Sequence, residues 1–226
     1  SLESVWEKQM KNASAQQQYE KAKDIRDRLF AIRSMAERVS VSRIELEELN
    51  QYIFKTDALL ELKAKLRLKQ LPNVMECFDI SNTAGTNPVG SMVQFVNGKP
   101  NKSGYKRFKI QTVNQINDFA MIKEVVFRRY SSIIRKNEKF PDLIIIDGGK
   151  GQLAYAEQAL NEIGIYIPLI SLAKQEEEIF IMGKSASVKL PANSHALRVL
   201  QAIRDEAHRF AITYHKLLRS KKFIEG

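Results

Sequence analysis

Residues 143–152 read LIIIDGGKGQ, and this stretch decides the fold. Four consecutive aliphatic side chains are typical of a strand that is buried on both faces in the middle of a sheet. Asp147 ends the run, and the glycine-rich turn behind it leads into a helix predicted from Gln152 to Ile163. The turn does not match a phosphate-binding P-loop, because Gly151 stands where that motif requires Ser or Thr. The stretch therefore predicts a strand-turn-helix unit of an α/β protein.

The elements on either side of this strand predict a mixed sheet. Alternating residues indicate three earlier strands, and helical spacing follows them. The predicted elements are strands at Val74 to Ser81, Val89 to Asn97 and Tyr105 to Val113, a helix at Asp118 to Lys136, the central strand and its helix, a strand at Pro168 to Ala173, a hairpin at Glu178 to Leu190, and a helix from the Ser194 cap to about Arg219. A meander followed by a parallel α/β portion is the order of an RNase H-like fold, in which helices flank a mixed sheet.

An α-helical hairpin is predicted at the N-terminus. Residues 1–71 contain no Gly or Pro and are rich in helix-forming residues. Within residues 1–40, apolar spacing indicates two short amphipathic helices broken near Gln16 to Gln18, although an ordinary coiled-coil segment would show the same pattern. Residues 41–72 are predicted to be a helical linker, with a helix from Thr56 to Lys69 that stops before Pro72. Residues 73–226 form the predicted main domain.

The composition favours a polyanionic partner. The chain carries 36 Lys and Arg against 26 Asp and Glu, a formal net charge of +10. Cations that neutralise phosphates release condensed counterions, so nucleic acid is the first candidate partner and an anionic membrane surface the second. The single cysteine, Cys77, cannot form an internal disulfide, and neither a membrane span nor a signal peptide is predicted. We therefore expect a reducing, cytoplasmic compartment.

Two aspartates lie in apolar strands. Asp79 stands between Phe78 and Ile80 near the end of the first predicted strand, and Asp147 closes the central one. A buried carboxylate must be solvated or paired. If the two strands are neighbours, the carboxylates converge, and a divalent cation between them would remove their repulsion. The alternative for each residue alone is an ordinary helix or turn cap.

The final helix offers a third polar group. Its apolar stripe indicates packing along the core, and Arg204, His208, Ala211 and His215 form the adjacent stripe. His208 can therefore point its imidazole at the end of the sheet. The alternative is a histidine that only packs at the edge of the core.

A basic segment extends from Lys99 to Lys139. It holds eleven Lys or Arg against three acidic residues, with aromatic residues interleaved, which is typical of a nucleic-acid interface. A solvated helix face beside a basic hairpin is the alternative. The candidate phosphate contacts are Lys102, Lys106, Arg107, Arg128 and Arg129 within the segment, and Lys150 and Arg204 outside it.

Three blocks resemble signatures of the C subunit of the bacterial UvrABC excinuclease. They are ECFDIS at 76–81, IDGGKGQ at 146–152 and RDEAHRFA at 204–211. Residues 10–35, with YEKA at 19–22 and IRD at 25–27, resemble the UVR motif of the same family. The resemblance covers nearly the whole chain.

This resemblance implies a DNA endonuclease that makes the 5′ incision at bulky lesions in nucleotide excision repair. It assigns Asp79, Asp147 and His208 to a catalytic, metal-binding triad, and Asp118 to a further acidic position that a helix-capping role also explains. The UVR-type hairpin would bind the B subunit. The hairpin residues expected to contact it are Tyr19, Ala22, Ile25, Arg26 and Leu29. Typical members also carry a GIY-YIG domain and helix-hairpin-helix elements, which these residues do not match.

The expected cofactor is Mg²⁺ or Mn²⁺, because phosphodiester hydrolysis requires charge neutralisation and an activated water. His208 is expected to complete the ligand set or to protonate the leaving oxygen. Two alternatives stay open at this point. One is a non-catalytic DNA-binding scaffold that recruits the B subunit, and the other is an RNase H-like, resolvase-type nuclease that acts on undamaged DNA.

Overall fold

A computed structural model of the chain describes residues 2–81, 89–111, 117–173 and 177–224. The chain divides into two compact units, Ser1–Ile53 and Phe54–Gly226. Within the described ranges, no helix is both long enough and apolar enough to pass through a lipid bilayer.

The first unit contains the predicted helices. Helix α1 spans Leu2–Ala15, and helix α2 begins at Tyr19. Gln17 lies between them with a φ of 56°, in the left-handed region that interrupts a helix. Ala13 of α1 and Leu29 of α2 are both buried. The predicted break near Gln16 to Gln18 is confirmed.

Helix α2 is longer than the sequence predicted. It spans Tyr19–Leu66 as one helix of 48 residues, because no Gly or Pro interrupts it. The sequence placed residues 41–72 in a linker with a separate helix at Thr56 to Lys69. Instead, the last turns of α2 bury Ala58, Leu62 and Leu66 in the core of the second unit. The apolar face of these turns makes them part of that core.

In the ranges that the structure describes, the second unit is built on a seven-stranded mixed sheet. Its strands are β1 (Val74–Ser81), β2 (Val89–Val96), β3 (Lys99–Pro100), β4 (Lys106–Lys109), β5 (Leu143–Asp147), β6 (Leu169–Leu172) and β7 (Ile179–Ile181). Strand β1 lies between β2, which is antiparallel to it, and β5, which is parallel. Strand β6 extends the parallel portion, β7 forms an antiparallel edge, and β3 and β4 both pair with β2. The predicted RNase H-like order is confirmed.

Helices cover both faces of this sheet. They are α3 (Asp118–Lys136), α4 (Lys150–Ile163) and α5 (His195–Ile224), together with the end of α2. Met75 and Cys77 of β1 belong to the core that α5 and α2 cover, whereas Phe78 belongs to the core under α3 and α4. Because side chains alternate along a strand, Asp79 emerges on the α5 face.

Element boundaries differ from the prediction at a few places. Strand β4 is shorter than the predicted strand at Tyr105 to Val113, whose last two residues lie outside the described ranges. Helix α4 begins at Lys150 instead of Gln152, and α5 continues to Ile224. The Ser194 cap is confirmed, since Leu197 N donates to Ser194 Oγ at 3.0 Å.

Candidate active site

The register of the sheet brings the two aspartates together. The pairing of β1 with β5 runs from Met75 opposite Leu143 to Phe78 opposite Ile146, so Asp79 and Asp147 follow at the next position. This is the carboxyl end of two parallel strands, where open α/β sheets place their ligands. Both residues are buried, with 4% and 5% of their surface exposed. The predicted convergence of the two carboxylates is observed.

Helix α5 brings His208 to the same point. One ligand atom from each of Asp79, Asp147 and His208 lies within 4.8 Å of the other two. His208 Nδ1 is 3.6 Å from Asp79 Oδ2, and the histidine side chain is 53% exposed. The group, called the acidic cluster below, therefore joins two buried carboxylates to one solvent-accessible imidazole.

A buried serine lets α5 approach the sheet beside the acidic cluster. Ser91 of β2 pairs with Asp79 and has no exposed surface. Its hydroxyl lies 3.4 Å from the carbonyl oxygen of Ala207 and 3.5 Å from that of Asp79. A larger side chain would push α5 and His208 away, because the interior is closely packed. Ser91 was not predicted, since a serine in an alternating strand carries no distinctive signal.

The electrostatic surroundings of the cluster are negative. Burial raises the pKa of the Cys77 thiol well above its usual value, and the charges of Asp147 and Asp79 raise it further. Two carboxylates that are close together and largely removed from water repel each other unless a cation shares them. Two carboxylates and an imidazole are a donor set that divalent metals accept. The residues present therefore fit a divalent cation.

Arg129, a predicted DNA contact, is instead buried in the fold. Its Nη2 donates to Glu76 Oε1 at 2.6 Å, and its Nε donates to Glu76 Oε2 at 3.3 Å. Burial acts to lower the pKa of this guanidinium, but the bonds to Glu76 more than reverse the effect and raise it overall. A phosphate has no access to an enclosed and neutralised guanidinium. We therefore correct the prediction for Arg129 and assign it to the core.

Arg204 lies near the cluster, but its guanidinium, like that of Arg129, is paired with carboxylates. Its Nη1 donates to both oxygens of Glu177 at 2.9 and 2.8 Å, and its Nη2 donates to Asp205 Oδ1 at 3.1 Å. Only 14% of its side chain is exposed. We correct this prediction as well: Arg204 links α5 to the segment at Glu177. Glu177 is 27 residues away in the sequence, and no sequence pattern indicated this pairing.

The other predicted phosphate contacts differ in availability. Lys102, Lys106 and Arg107 are exposed. Arg128 is half-buried and donates from Nη1 to Lys109 O at 2.7 Å and to Glu124 Oε1 at 2.8 Å. Lys150 is exposed at the start of α4, and its Nζ lies 3.3 Å from Ser185 O. Exposure therefore favours the lysines and Arg107 over Arg128.

Asp118 lies outside the acidic cluster. It is an exposed residue in the first turn of α3, directly after Asn117, whose side chain caps the helix by accepting from Phe119 N and Ala120 N. An acidic residue there stabilises the helix dipole. In the described part of the chain, only Asp79, Asp147 and His208 form a group suited to a metal. A catalytic role for Asp118 stays a prediction.

The predicted partner contacts lie on α2 in the first unit. Tyr19 is 67% exposed and Arg26 is exposed, while Ala22 and Ile25 are half-buried. Leu29 is only 4% exposed and packs inside the unit, so we correct its assignment from partner contact to core residue.

The same helix has an exposed aromatic residue that was not among the predicted partner contacts. Phe30 follows Leu29 and is 74% exposed. Its signal was a large apolar side chain outside the apolar stripe of an amphipathic helix, which is typical of a contact surface.

Comparison with known proteins gives two family matches. Residues 63–212 match the UvrC RNAse H endonuclease domain, and residues 7–34 match the UvrB/uvrC motif. UvrABC system protein C of Methanococcus maripaludis is 49% identical over 197 residues, which cover 87% of this chain and 37% of the relative. Its counterpart in Methanosarcina acetivorans is 54% identical over 167 residues, which cover 74% of this chain and 32% of the relative. The chain thus spans about a third of the length of these relatives.

Among solved structures, human ENDOV aligns with a TM-score of 0.36 and 12% identity, over 54% of this chain and 58% of that one. A likeness of this size adds nothing to the family matches.

Proposed function

Because the chain belongs to the family of the UvrC RNase H endonuclease domain, we propose that it makes the 5′ incision at bulky DNA lesions during nucleotide excision repair. The observation that carries this proposal is the acidic cluster, whose ligand atoms lie within 4.8 Å of one another at the carboxyl end of the central strands. The activity of the longer relatives is transferred here as a proposal, since this chain spans 37% and 32% of the two compared above.

Asp79 and Asp147 would hold the metal, which we propose to be Mg²⁺ or Mn²⁺. Both are buried at the ends of paired strands, so the backbone hydrogen bonds of the sheet fix the positions from which they act. When bound, the cation supplies charge neutralisation at the phosphate and an activated water. Ser91, whose hydroxyl lies 3.4 Å from the carbonyl oxygen of Ala207, would set the distance between α5 and the sheet beside the site.

His208 would act at the side of the cluster that solvent reaches. Its side chain is 53% exposed, in contrast to the buried carboxylates, so an incoming DNA backbone can meet it. We propose that it either completes the ligand set or protonates the leaving oxygen.

A modified substrate separates these two roles of His208. If His208 donates the proton, His208→Gln should slow cleavage of ordinary DNA. The same variant should slow cleavage much less when sulfur replaces the leaving oxygen, because a sulfur leaving atom needs no proton. Equal losses on both substrates would favour the ligand role.

The first unit would bind the B subunit of the excinuclease. Residues 7–34 match the motif shared by UvrB and UvrC. Tyr19 and Phe30 expose aromatic surface at 67% and 74%, and large exposed apolar side chains often anchor protein interfaces. Recruitment through this unit would bring the acidic cluster to damaged DNA.

The test is incision of a lesion-bearing duplex with the B subunit and Mg²⁺ or Mn²⁺, beside an undamaged duplex of the same sequence. Asp79→Asn and Asp147→Asn replace a carboxylate by an amide of similar shape, and we expect each to abolish incision. Asp57→Asn, at an exposed position of α2, is the control for loss of one negative charge.

Each outcome of this experiment has a consequence. Full activity of Asp79→Asn would overturn the proposed site. Wild-type protein that binds the B subunit and never cuts would favour the scaffold. Equal cutting of undamaged DNA without the B subunit would favour the resolvase-type nuclease.

A further inference from the structure

A row of paired residues crosses the sheet from the acidic cluster to its basic edge. Asp79 of β1 pairs with Ser91 of β2, and Ser91 pairs with Arg107 of β4. Residues directly opposite each other in antiparallel strands point to the same face. Arg107 therefore lies on the face of Asp79, two strands away, and strand spacing puts the two backbones about 10 Å apart.

Two aromatic rings of α5 hold the guanidinium of Arg107. Its Cζ lies 4.5 Å from the centroid of the Phe210 ring and 4.9 Å from that of Tyr214. Phe210 in turn contacts the Tyr105 ring edge-on, with 5.0 Å between centroids, and Tyr105 Oη donates to Glu206 Oε1 of α5 at 2.9 Å. The Phe210 ring is thus held by a contact of its own, and the two rings orient the planar guanidinium by cation–π attraction.

The charge of Arg107 is available, unlike that of the arginines around it. Arg128, Arg129, Arg204 and Arg209 each form an ion pair with a carboxylate. Across the described residues, no carboxylate oxygen lies within ion-pair distance of Arg107, which is exposed. Aromatic rings orient a guanidinium without neutralising it, so it keeps its charge and its donors for a phosphate.

We propose that Arg107, stacked on Phe210 and Tyr214, binds a phosphate of the DNA strand that is cut and so sets where this strand lies across the acidic cluster. Arg107 with these two rings is called the phosphate anchor below. The inference rests on the proposed nuclease function. A DNA strand carries one phosphate per about 3.4 Å of helix axis, so a cation about 10 Å away reaches a phosphate a few nucleotides from the cut. Phe210 and Tyr214 act as positioning residues. Helix α5 thus carries both His208 and the two rings that support Arg107.

The first test measures DNA affinity without metal, by fluorescence anisotropy of a labelled duplex at several salt concentrations. For Arg107→Ala we expect the Kd to rise about tenfold, as for loss of a charged hydrogen bond. The salt slope of log Kd should fall by about one, as for one lost phosphate contact. Arg135→Ala removes an equal charge from an exposed site in the last turn of α3 and should change both quantities much less.

The positioning role is tested by variants that keep the charge. Phe210→Leu and Tyr214→Leu remove a ring, and Tyr214→Leu also removes a hydroxyl, but neither changes a charge. Both should weaken binding, because the guanidinium loses its support. Arg107→Lys keeps the charge but not the planar fork and should restore affinity only in part. In the incision assay, Arg107→Ala should also spread the cut over neighbouring phosphates, which general destabilisation would not do. Unfolding midpoints show whether each variant is folded.

The outcomes for the anchor are separable from those for the nuclease. Wild-type protein that never cuts would count against the nuclease function, whatever Arg107 does. Wild-type protein that cuts, beside Arg107→Ala with an unchanged salt slope and cutting position, would overturn the anchor alone. If both ring variants bind DNA with wild-type affinity while Arg107→Ala binds weakly, the role of the rings is refuted. Arg107 would then bind DNA as an ordinary surface cation.

Discussion

Replacing Arg129 with Met tests whether this arginine supports the fold instead of binding DNA. Arg129 lies on α3 and Glu76 on β1, and the glutamate side chain is only 1% exposed. Glu76 also accepts from Tyr130 Oη at 3.0 Å and from Gln94 Nε2 at 3.2 Å. Methionine retains much of the apolar stem but leaves the Glu76 carboxylate buried without its cation.

The expected cost follows from this geometry. Removing one partner of a buried ion pair costs about 3–5 kcal/mol. Burial raises the pKa of Tyr130 well above its usual value, so its hydroxyl stays a donor to Glu76. Because Tyr130 and Gln94 still donate to Glu76, we expect a loss in the free energy of unfolding at the lower end of this range, about 3 kcal/mol. For a chain of this size, that lowers Tm by about 6–12 °C.

The assay is urea unfolding monitored by circular dichroism, with Arg135→Met as the control at an exposed position. The double variant Glu76→Gln/Arg129→Met should recover part of the loss, because it no longer buries an unpaired charge. Under folding conditions, Arg129→Met should bind DNA with the wild-type salt slope. A variant as stable as wild type, or one whose salt slope falls by about one, would refute the structural role.

Three further predictions concern other parts of the chain. Ala196 N donates to Glu61 Oε2 at 3.0 Å at the start of α5. Burial acts to raise the pKa of Glu61, but hydrogen bonds from Ala196 and its neighbours lower it overall. Glu61→Gln should therefore lower the free energy of unfolding by about 0.5 kcal/mol at pH 7. In urea unfolding this difference should disappear as the pH falls below the ordinary glutamate pKa of 4.5, because a carboxyl with a lowered pKa stabilises the fold only while it is ionised. Ser91→Val should destabilise by about 1–3 kcal/mol through overpacking against α5 and slow incision, as measured by unfolding and cleavage assays; unchanged cleavage would contradict its role in placing α5. Phe30→Ala should weaken binding of the B subunit by about 1–2 kcal/mol in calorimetry without changing the unfolding midpoint, and normal binding would remove Phe30 from the partner surface.

Local periodicity made much of the sheet and the acidic cluster predictable. Strand β1 was predicted with the bounds that the structure has, Val74–Ser81, and β5 follows from four aliphatic residues before Asp147. Polar residues that end or interrupt such strands stand out against their apolar neighbours. Asp79 and Asp147 were therefore recognisable, whereas Ser91 resembled any small strand residue.

Contacts between distant residues limited the remaining predictions. The basic segment appeared uniform in sequence, but Arg129 pairs with Glu76, 53 residues earlier, and Arg107 is held by rings of a helix more than one hundred residues later. Composition counts charges and cannot tell a neutralised guanidinium from an available one. The same reason applies to Leu29, which is buried in the folded chain.

The amino-acid sequence by itself determined the order of the helices and strands along the chain, the alternation of side chains between two faces in each strand and the identity of the two strand-end aspartates, because backbone alternation and helical spacing are local properties. Only the tertiary structure decided that α2 enters the core as one helix, that His208 meets Asp79 at 3.6 Å, and that Arg107 keeps its charge. These features depend on which side chains pack together, and a charge is neutralised or left available only by the groups that folding places beside it.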